Sequence, residues 1–442
     1  MPKVPPTRKA PRSCERTEVK NRRGEAASFI NEPELEHDAR REAKVAPAID
    51  LPTPDVQQGS QHVYQHLDKT SNDIRLASVE RRRDGSIQCN LHTYPINEAP
   101  PFIALSYTWG LPSPVRTIVL DGEDFMVREN LHAALLMLLQ KKEHRYDFPS
   151  WFPSVPMHDL DSMSKESVNP SVSDLEPFSA PEWDMMDRTS EMTAWGFFWI
   201  DAICIDQESI AERNHQVNMM RQIFARAAFV LVWLGPESAD SKLAMDTLRS
   251  LYEPQASTSP RQVWADQTRK KPILSLLGRD YWKRVWIIQE IIMSRDLLFL
   301  CGAQELFWRE LSSFITKLGP IYERGGAFTI IEEKRMSLHE ESKGYDLDVP
   351  LHFLIPRYCR QDCTDPRDRV FGLLGLVVEG FMTTRTGQGW DRRMIVRADY
   401  SLSTADLFNL VMAYVKHWSW TGELEELNFQ SVLREALLLD GG

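Results

Sequence analysis

Residues 229–235 read FVLVWLG, six apolar side chains in a row that end at a glycine. A short apolar run without polar alternation is typical of a strand that is buried on both faces of a parallel sheet. WGFFWI (195–200) and LLFLCG (297–302) have the same character. SIAERNHQVNMMRQIFARA (209–227) lies between two of these runs with helical spacing, and a further helix is predicted from Asp280. Buried strands that alternate with helices predict an α/β fold with a mainly parallel central sheet flanked by helices.

The chain before residue 143 carries three further local signals. IALSYTW (103–109) alternates like a strand and ends at a glycine. RTIVLDGEDFMV (116–127) predicts a hairpin, because an Asp-Gly pair joins its two apolar strands. NLHAALLMLLQ (130–140) predicts a helix with Asn130 as its N-cap.

Composition divides the chain into three parts. Residues 1–61 are rich in Pro, Arg, Glu and Ser and poor in aromatics, so we predict a disordered N-terminal tail. Residues 62–302 hold the alternating strands and helices of the predicted α/β domain. A polar stretch without periodicity inside it, 143–193, predicts a long mobile insertion. Residues 303–442 consist mostly of helical patterns and predict a helical C-terminal extension packed on that domain.

Overall composition restricts the class of protein. The 442 residues carry a formal net charge of −11, which argues against nucleic-acid binding because its footprint is basic. The six cysteines form neither a disulfide framework nor a zinc signature. The N-terminus lacks the apolar core of a signal peptide, and no apolar run is long enough to span a bilayer. We therefore expect a soluble cytoplasmic protein, with residence in the nucleus as the alternative, and without a metal or a bound cofactor.

Several side chains follow the predicted strands directly. Ligands of an open parallel sheet bind in the crevice beyond the carboxyl ends of its strands. One strand ends with Ser106, Tyr107 and Trp109, and the next is followed by Asp201. These residues are candidates for a binding site. The alternative is structural, because an aspartate after a strand often caps the following turn and a tryptophan is often part of the core.

A carboxylate ends the apolar stretch RDYWKRVWIIQE, residues 279–290. We predict one helix from Asp280, which places Glu290 one turn from Trp286 and turns Arg284 away from it. Desolvation beside indole rings raises the pKa of a carboxylate and is unfavourable unless a partner compensates. That partner is either an arginine elsewhere in the chain, in a buried ion pair, or a ligand. The residues alone slightly favour the ion pair.

Four ordered motifs resemble those of the fungal heterokaryon incompatibility (HET) domain: FIALSYTWG, FFWIDAICIDQ, RNHQVNMMRQIFARAAFVLVWLG and RDYWKRVWIIQE. Two downstream segments, CRQDCTDPRDRVFGLLGL and IVRADYSLSTADLF, are similar to segments that often follow that domain. The resemblance covers roughly residues 62–400, and the insertion and the tail depart from it without touching a motif. It implies a role in non-self recognition, with the domain as an effector of programmed cell death after incompatible cells fuse.

The HET domain is also remotely similar to the TIR (Toll/interleukin-1 receptor) domain, which has a flavodoxin-like α/β core. The Ser106-Tyr107 pair after the first strand and the W-x-x-x-E segment from Trp286 to Glu290 match TIR features. In the TIR enzymes that glutamate cleaves the nicotinamide–ribose bond of NAD⁺. The resemblance thus implies Glu290 as the catalytic residue and NAD⁺ as the substrate. The residues that it implies as contacts to NAD⁺ are Ser106, Tyr107, Trp109, Asp201 and Trp286.

Cleavage of this bond needs only one carboxylate. Nicotinamide leaves from a cationic ring and needs no proton, whereas ordinary glycosidases need a second carboxyl group as an acid. A single anion aimed at the developing positive charge of the ribose suffices. The sequence has no glycine-rich phosphate loop, which argues against a dehydrogenase or an NTPase. The alternative to an NAD⁺ glycohydrolase is a non-enzymatic TIR-like module that acts by self-association or by binding a sensor protein.

Overall fold

The computed structural model describes residues 62–143, 196–253, 256–318, 326–341, 349–377, 384–386, 389–391, 396–418 and 423–439. All of them belong to one unit of the chain, Gln57–Gly442. The predicted disordered tail (1–61) and all but the first residue of the predicted mobile insertion (143–193) lie outside these residues. Within the described part of the chain, no helix combines the length and the apolar composition that a membrane span requires.

The strands of the described chain form one large sheet and one small hairpin. The strands of the large sheet are β1 (Asp73–Arg81), β2 (Ile87–Pro95), β3 (Ile103–Tyr107), β4 (Val115–Leu120), β5 (Glu123–Arg128), β6 (Phe198–Trp199), β7 (Phe229–Trp233), β8 (Leu297–Cys301) and β9 (Gln304–Phe307). Their order across the sheet is β5-β4-β2-β1-β6-β3-β7-β8-β9. The hairpin pairs β10 (Thr384–Thr386) with β11 (Gly389–Asp391).

The central strands β6, β3, β7 and β8 are parallel neighbours, as the alternating pattern predicted. Every residue of β3, β7 and β8 is buried, which confirms these strands as the doubly covered centre of an α/β fold. The predicted strand at 195–200 is shorter than expected, because only Phe198 and Trp199 pair.

The sheet as a whole is mixed rather than mainly parallel, which corrects the finer part of the prediction. β1 pairs antiparallel with β2 and β6, and antiparallel hairpins β4–β5 and β8–β9 form the two edges. The turns of these hairpins contain only two residues each, and a connection that short can join only antiparallel strands. Parallel neighbours require a crossover, which the chain provides between β7 and β8.

The Asp-Gly turn between β4 and β5 has the predicted geometry. Asp121 and Gly122 have φ values of 51° and 92°, and a type I′ turn requires positive φ at both central residues. The Asp121 carboxylate also accepts a hydrogen bond of 2.8 Å from the backbone N–H of Leu91 in β2. The predicted hairpin is therefore confirmed, and its turn is tied to the neighbouring strand.

Helices cover both faces of the sheet and make up most of the described residues after β9. The described helices are α1 (Glu129–Glu143), α2 (Asp201–Cys204), α3 (Ile210–Arg226), α4 (Ser241–Tyr252), α5 (Pro260–Ala265), α6 (Gln267–Leu277), α7 (Ile287–Ile292), α8 (Trp308–Leu318), α9 (Ala327–Glu341), α10 (Leu351–Tyr358), α11 (Asp368–Phe371), α12 (Thr404–Trp418) and α13 (Glu423–Ala436). α3 begins after Ser209, whose hydroxyl accepts a hydrogen bond from the backbone N–H of Glu212. This confirms the helix that the pattern predicted before β7.

The prediction that Asn130 caps α1 is wrong, because the helix begins one residue earlier, at Glu129. The Asn130 amide instead donates to the backbone oxygen of Thr108 at 2.5 Å and accepts from the Trp233 indole at 3.0 Å. Asn130 therefore links the ends of β3 and β7. Both polar atoms of its side-chain amide are used in these two hydrogen bonds, so the amide does not cap the helix.

The single helix predicted for residues 280–290 is also wrong. Asp280–Lys283 forms one 3-10 turn, and the backbone then becomes extended at Arg284 (φ −72°, ψ 139°) before α7 begins. The reason is a tertiary partner: the backbone of Asp362 accepts from Val285 N–H at 3.1 Å and donates to the Lys283 oxygen at 2.6 Å. These hydrogen bonds replace the hydrogen bonds of a continuous helix, so the backbone is extended at Arg284.

The region after β9 packs directly on the α/β core. Lys334 of α9 donates to the backbone oxygens of Ile292 and Ser294 at the end of α7, where helix carbonyls lack partners. Arg221 of α3 donates to the Gly375 oxygen at 2.8 Å. These contacts join the C-terminal helices to the two core helices that carry the candidate site.

Candidate functional site

A cavity of ≈ 600 Å³ lies beyond the carboxyl ends of β3 and β6, where ligands of α/β sheets bind. Trp109 follows β3, and Asp201 begins α2 directly after β6. Arg213 of α3 lies on another wall. Segment 362–368 and Tyr400, both from the region after β9, contribute the remaining wall.

The structure brings most of the predicted site residues together. Those that line the cavity are Trp109, Asp201, Trp286 and Glu290. Ser106 and Tyr107 are fully buried and are not among the lining residues. The Ser106 hydroxyl supports Glu290 from behind through a hydrogen bond.

Glu290 is 4% exposed and receives a short hydrogen bond from the Ser106 hydroxyl. The Ser106 oxygen lies 2.7 Å from the Tyr281 hydroxyl. Because the single Ser106 proton goes to the carboxylate, the Tyr281 hydroxyl must be the donor to Ser106. The three groups form a directed chain of donors that ends on Glu290 and fixes the orientation of its carboxylate.

Arg284 supplies a cation to Glu290, which corrects the expectation that it is turned away. The break before α7 places its Nη1 atom 3.8 Å from the carboxylate, too far for a hydrogen bond. Arg284 Nη1 is buried and has no hydrogen-bond partner among the described residues. Burial raises the pKa of Glu290 above its ordinary value, while Arg284 and the Ser106 hydroxyl oppose that rise. The carboxylate is therefore held by a protein cation, though loosely.

Asp201 organises the wall that follows β3 and β6. Its carboxylate accepts from the Trp109 indole at 2.7 Å and from the backbone N–H of Ala202 at 2.7 Å. Asp201 thus accepts from a backbone donor in the first turn of α2 and also fixes the orientation of Trp109 in the cavity. Burial and then the nearby Asp201 carboxylate raise the pKa of Tyr107 well above its ordinary value, so this hydroxyl keeps its proton.

Asp368 orients two further aromatic side chains of the cavity, although it was not among the predicted site residues. Its carboxylate accepts from the Trp286 indole at 3.1 Å and from the Tyr400 hydroxyl at 2.7 Å. Burial raises the pKa of Asp368 to about 6, and these two hydrogen bonds oppose the rise. Asp368 lines the cavity and holds two of its aromatic side chains in place.

Arg367 fastens this wall to the segment that carries Tyr400. It forms a bidentate pair with Asp365, with distances of 2.9 and 2.6 Å, and donates to the backbone oxygens of Tyr400 and Leu402 at 2.8 and 2.6 Å. The sequence signal was the density of charges in DPRDR (365–369), directly before the apolar run that begins at Val370. Because this segment was predicted only as part of the helical C-terminal extension, its role in the cavity was missed.

The fold and site define an α/β protein in which a buried carboxylate and two tryptophans line one cavity, at the carboxyl edge of parallel strands. A family model described as "Heterokaryon incompatibility protein (HET)" matches residues 171–290, and the match ends at Glu290. This part of the chain is therefore similar to the heterokaryon incompatibility family.

A curated relative agrees with this assignment. The chain is 23% identical over 403 residues to "Heterokaryon incompatibility protein 6, OR allele" of Neurospora crassa, and the alignment covers 76% of this chain and 50% of the relative. The chain thus spans about half the length of the curated relative that it matches. No solved structure matches the chain. The TIR resemblance stays a prediction.

Proposed function

We propose that this protein is an effector of non-self recognition and programmed cell death that acts in the cytoplasm by cleaving the nicotinamide–ribose bond of NAD⁺. The observation that carries the proposal is Glu290: a buried carboxylate, oriented by a chain of donors, on the wall of a cavity of ≈ 600 Å³. That volume is in the range of small-molecule sites. NAD⁺ is a substrate here, and no resident cofactor is part of the proposal.

The reaction uses the negative charge of Glu290. The bond between ribose C1′ and the ring nitrogen breaks, and both electrons go to the nitrogen, so nicotinamide leaves neutral. Positive charge passes to the ribose, where a nearby anion stabilises it. A water oxygen then bonds to C1′ and loses a proton, which gives ADP-ribose. Because Glu290 is shielded from water, its attraction for this charge is stronger than it would be in solvent.

The surrounding residues orient the carboxylate and the substrate. The Ser106 hydroxyl fixes the carboxylate, and Arg284 favours its ionised form. Trp109 and Trp286 offer aromatic faces on which the nicotinamide or adenine rings stack. Their indoles are fixed in advance, because each donates to an aspartate.

A second function is favoured by one observation, the ion pair of Glu290 with Arg284. Structural ion-pair networks also perturb carboxylates. In that case the domain is a non-enzymatic module that acts by self-association or by binding a sensor protein, and the cavity has no substrate.

The test is an assay of nicotinamide release from NAD⁺ by the purified protein, with Glu290→Gln as the variant. We expect release by the wild type and a loss of at least about 10²–10³-fold in the variant, the usual effect of removing a transition-state stabiliser. Glu310→Gln is the matched control, because Glu310 is also a buried carboxylate but does not line the cavity. Its activity should be unchanged. A wild type that releases no nicotinamide, or a Glu290→Gln variant as active as the wild type, rejects the enzyme.

A further inference from the structure

Three arginines line the cavity: Arg128, Arg213 and Arg284. Arg284 belongs to the Glu290 pair. Arg128 and Arg213 have no carboxylate within salt-bridge distance among the described residues. A cavity that holds two such guanidinium groups needs an explanation, since buried or half-buried charges are normally paired.

Arg213 stacks on one of the aromatic side chains that line the cavity. Its guanidinium lies 4.0 Å from the centre of the Tyr400 ring, and the Tyr400 hydroxyl is held by Asp368. Its Nε atom is buried and has no hydrogen-bond partner in the described part of the chain. A buried donor without an acceptor is unfavourable, and a ligand that supplies the acceptor removes that penalty.

Arg128 is prepared in a similar way on the β3 side. Its guanidinium lies 5.1 Å from the centre of the Trp109 ring, and one N–H donates to the Gly110 oxygen at 2.9 Å. A guanidinium that stacks on a ring keeps its in-plane N–H groups for hydrogen bonds. Both arginines therefore present fixed donors to the same cavity, one through Trp109 and the other through Tyr400.

The carboxylates of the cavity do not use these two cations. Asp201 is satisfied by Trp109 and Ala202, and Asp368 by Trp286 and Tyr400. Asp365, which like Asp368 is within electrostatic range of Arg213, is paired with Arg367. These three acids thus have their own donors, which leaves the remaining N–H groups of Arg128 and Arg213 for a ligand.

We propose that Arg213 and Arg128 form a subsite for the phosphate groups of a nucleotide. Phosphate oxygens match the fork of an arginine, and each stacked guanidinium can bind one of them bidentately. The inference rests on the proposed function and deepens it: the pyrophosphate of NAD⁺ binds at the arginines while its nicotinamide ribose reaches Glu290.

Binding of ADP-ribose to the full-length protein, measured by calorimetry, tests this subsite without any cleavage. We expect ADP-ribose to bind at least about tenfold more tightly than adenosine, because a charge-assisted hydrogen bond contributes that much. Arg213→Gln and Arg128→Gln should each weaken ADP-ribose about tenfold or more, and Arg213→Lys should weaken it less than Arg213→Gln. Arg226→Gln is the matched control, because Arg226 is on the same helix but does not line the cavity.

The outcomes separate this subsite from the catalytic proposal. Arginine-dependent binding of ADP-ribose without NAD⁺ cleavage supports the subsite and rejects the enzyme. Equal affinity for ADP-ribose and adenosine, no binding of ADP-ribose, or unchanged affinity in both variants overturns the subsite. Inorganic pyrophosphate that binds as tightly as ADP-ribose overturns the nucleotide as its ligand. If Arg213→Gln does not fold, Arg128→Gln and the preference of the wild type decide.

Discussion

Two buried arginine–glutamate pairs among the described residues differ in almost every contact. Arg75 and Glu212 join at two points, 2.5 and 3.0 Å, and Arg75 also donates to the backbone oxygens of Cys204 and Gln65. The backbone N–H of Asp206 donates to the same glutamate at 2.7 Å. This pair is bidentate and lies away from the cavity, between β1 and α3.

Arg284 and Glu290 form the incomplete counterpart. One contact of 3.8 Å joins them, and one buried N–H of Arg284 has no acceptor in the described chain. Good geometry and satisfied hydrogen bonds are what offset the desolvation of a buried pair. The Arg75 pair meets that condition and the Arg284 pair does not. We therefore expect the Arg75–Glu212 pair to stabilise the fold, and the Arg284–Glu290 pair to remain available for a ligand.

The largest expected effect is loss of stability on breaking the complete pair. Arg75→Met keeps most of the side-chain volume but leaves Glu212 as a buried charge without its cation. We expect the free energy of unfolding in urea to fall by about 3–5 kcal/mol. Arg81→Met is the control on the same strand, because its pair with Glu143 is 36% and 48% exposed and should contribute less than about 1 kcal/mol. Equal losses in the two variants would contradict the assignment.

The next effect concerns the pH dependence of NAD⁺ cleavage in Arg284→Met. Arg284 opposes the rise that burial causes in the pKa of Glu290, so its removal raises that pKa further. Cleavage needs the ionised carboxylate, and the acid limb of kcat/KM should move to higher pH. On that limb the activity should fall roughly tenfold, because a neighbouring opposite charge usually shifts a carboxyl pKa by at least one unit.

Ser106→Ala gives an independent check of the same shift. The Ser106 hydrogen bond also lowers the pKa of Glu290, so this variant should move the acid limb in the same direction. An acid limb that stays in place in both variants would show that Glu290 does not set it.

A smaller effect is expected on the stability of Glu290→Gln. The amide keeps the shape of the side chain and can still accept from Ser106, while Arg284 loses only a 3.8 Å contact and borders the cavity. We expect a free energy of unfolding at neutral pH within about 1 kcal/mol of the wild type, or higher. Glu212→Gln, which breaks the complete pair, should lose about 3–5 kcal/mol. A loss of that size in Glu290→Gln would make Glu290 a structural residue.

Local patterns were sufficient to predict the centre of the fold. FVLVWLG and LLFLCG are continuous apolar runs, and a strand buried on both faces requires nothing else. The hairpin was predictable from Asp121-Gly122 alone, because the tendency of these two residues to adopt positive φ is a local property. Glu290 was found for a similar reason, since a carboxylate at the end of an apolar run is visible without the fold.

Contacts distant in sequence determined what could not be predicted. The helix expected through Arg284 is broken by Asp362, and the wall that holds Trp286 comes from Asp368 and Tyr400. No periodicity in residues 279–290 encodes partners about 80 positions away. The buried ion pair of Glu290 that the sequence slightly favoured does exist. Its partner, however, is Arg284, which the predicted helix had turned away from Glu290.

The smallest effect is the pH dependence of the stability difference between Glu290→Gln and the wild type. The folded state raises the pKa of Glu290 above its ordinary value of 4.5, chiefly through burial, so the folded wild type binds a proton that the unfolded chain has already released. The stability gained from that proton is fully present below 4.5 and is lost as pH rises through the folded pKa. Glu290→Gln cannot titrate here, so its stability relative to the wild type should increase over this window and then level off. Urea unfolding of both proteins at a series of pH values measures the difference, in which the titration of all other groups cancels. A difference that decreases with rising pH would mean that a tight ion pair lowers the pKa of Glu290, and the contrast with the Arg75 pair would disappear.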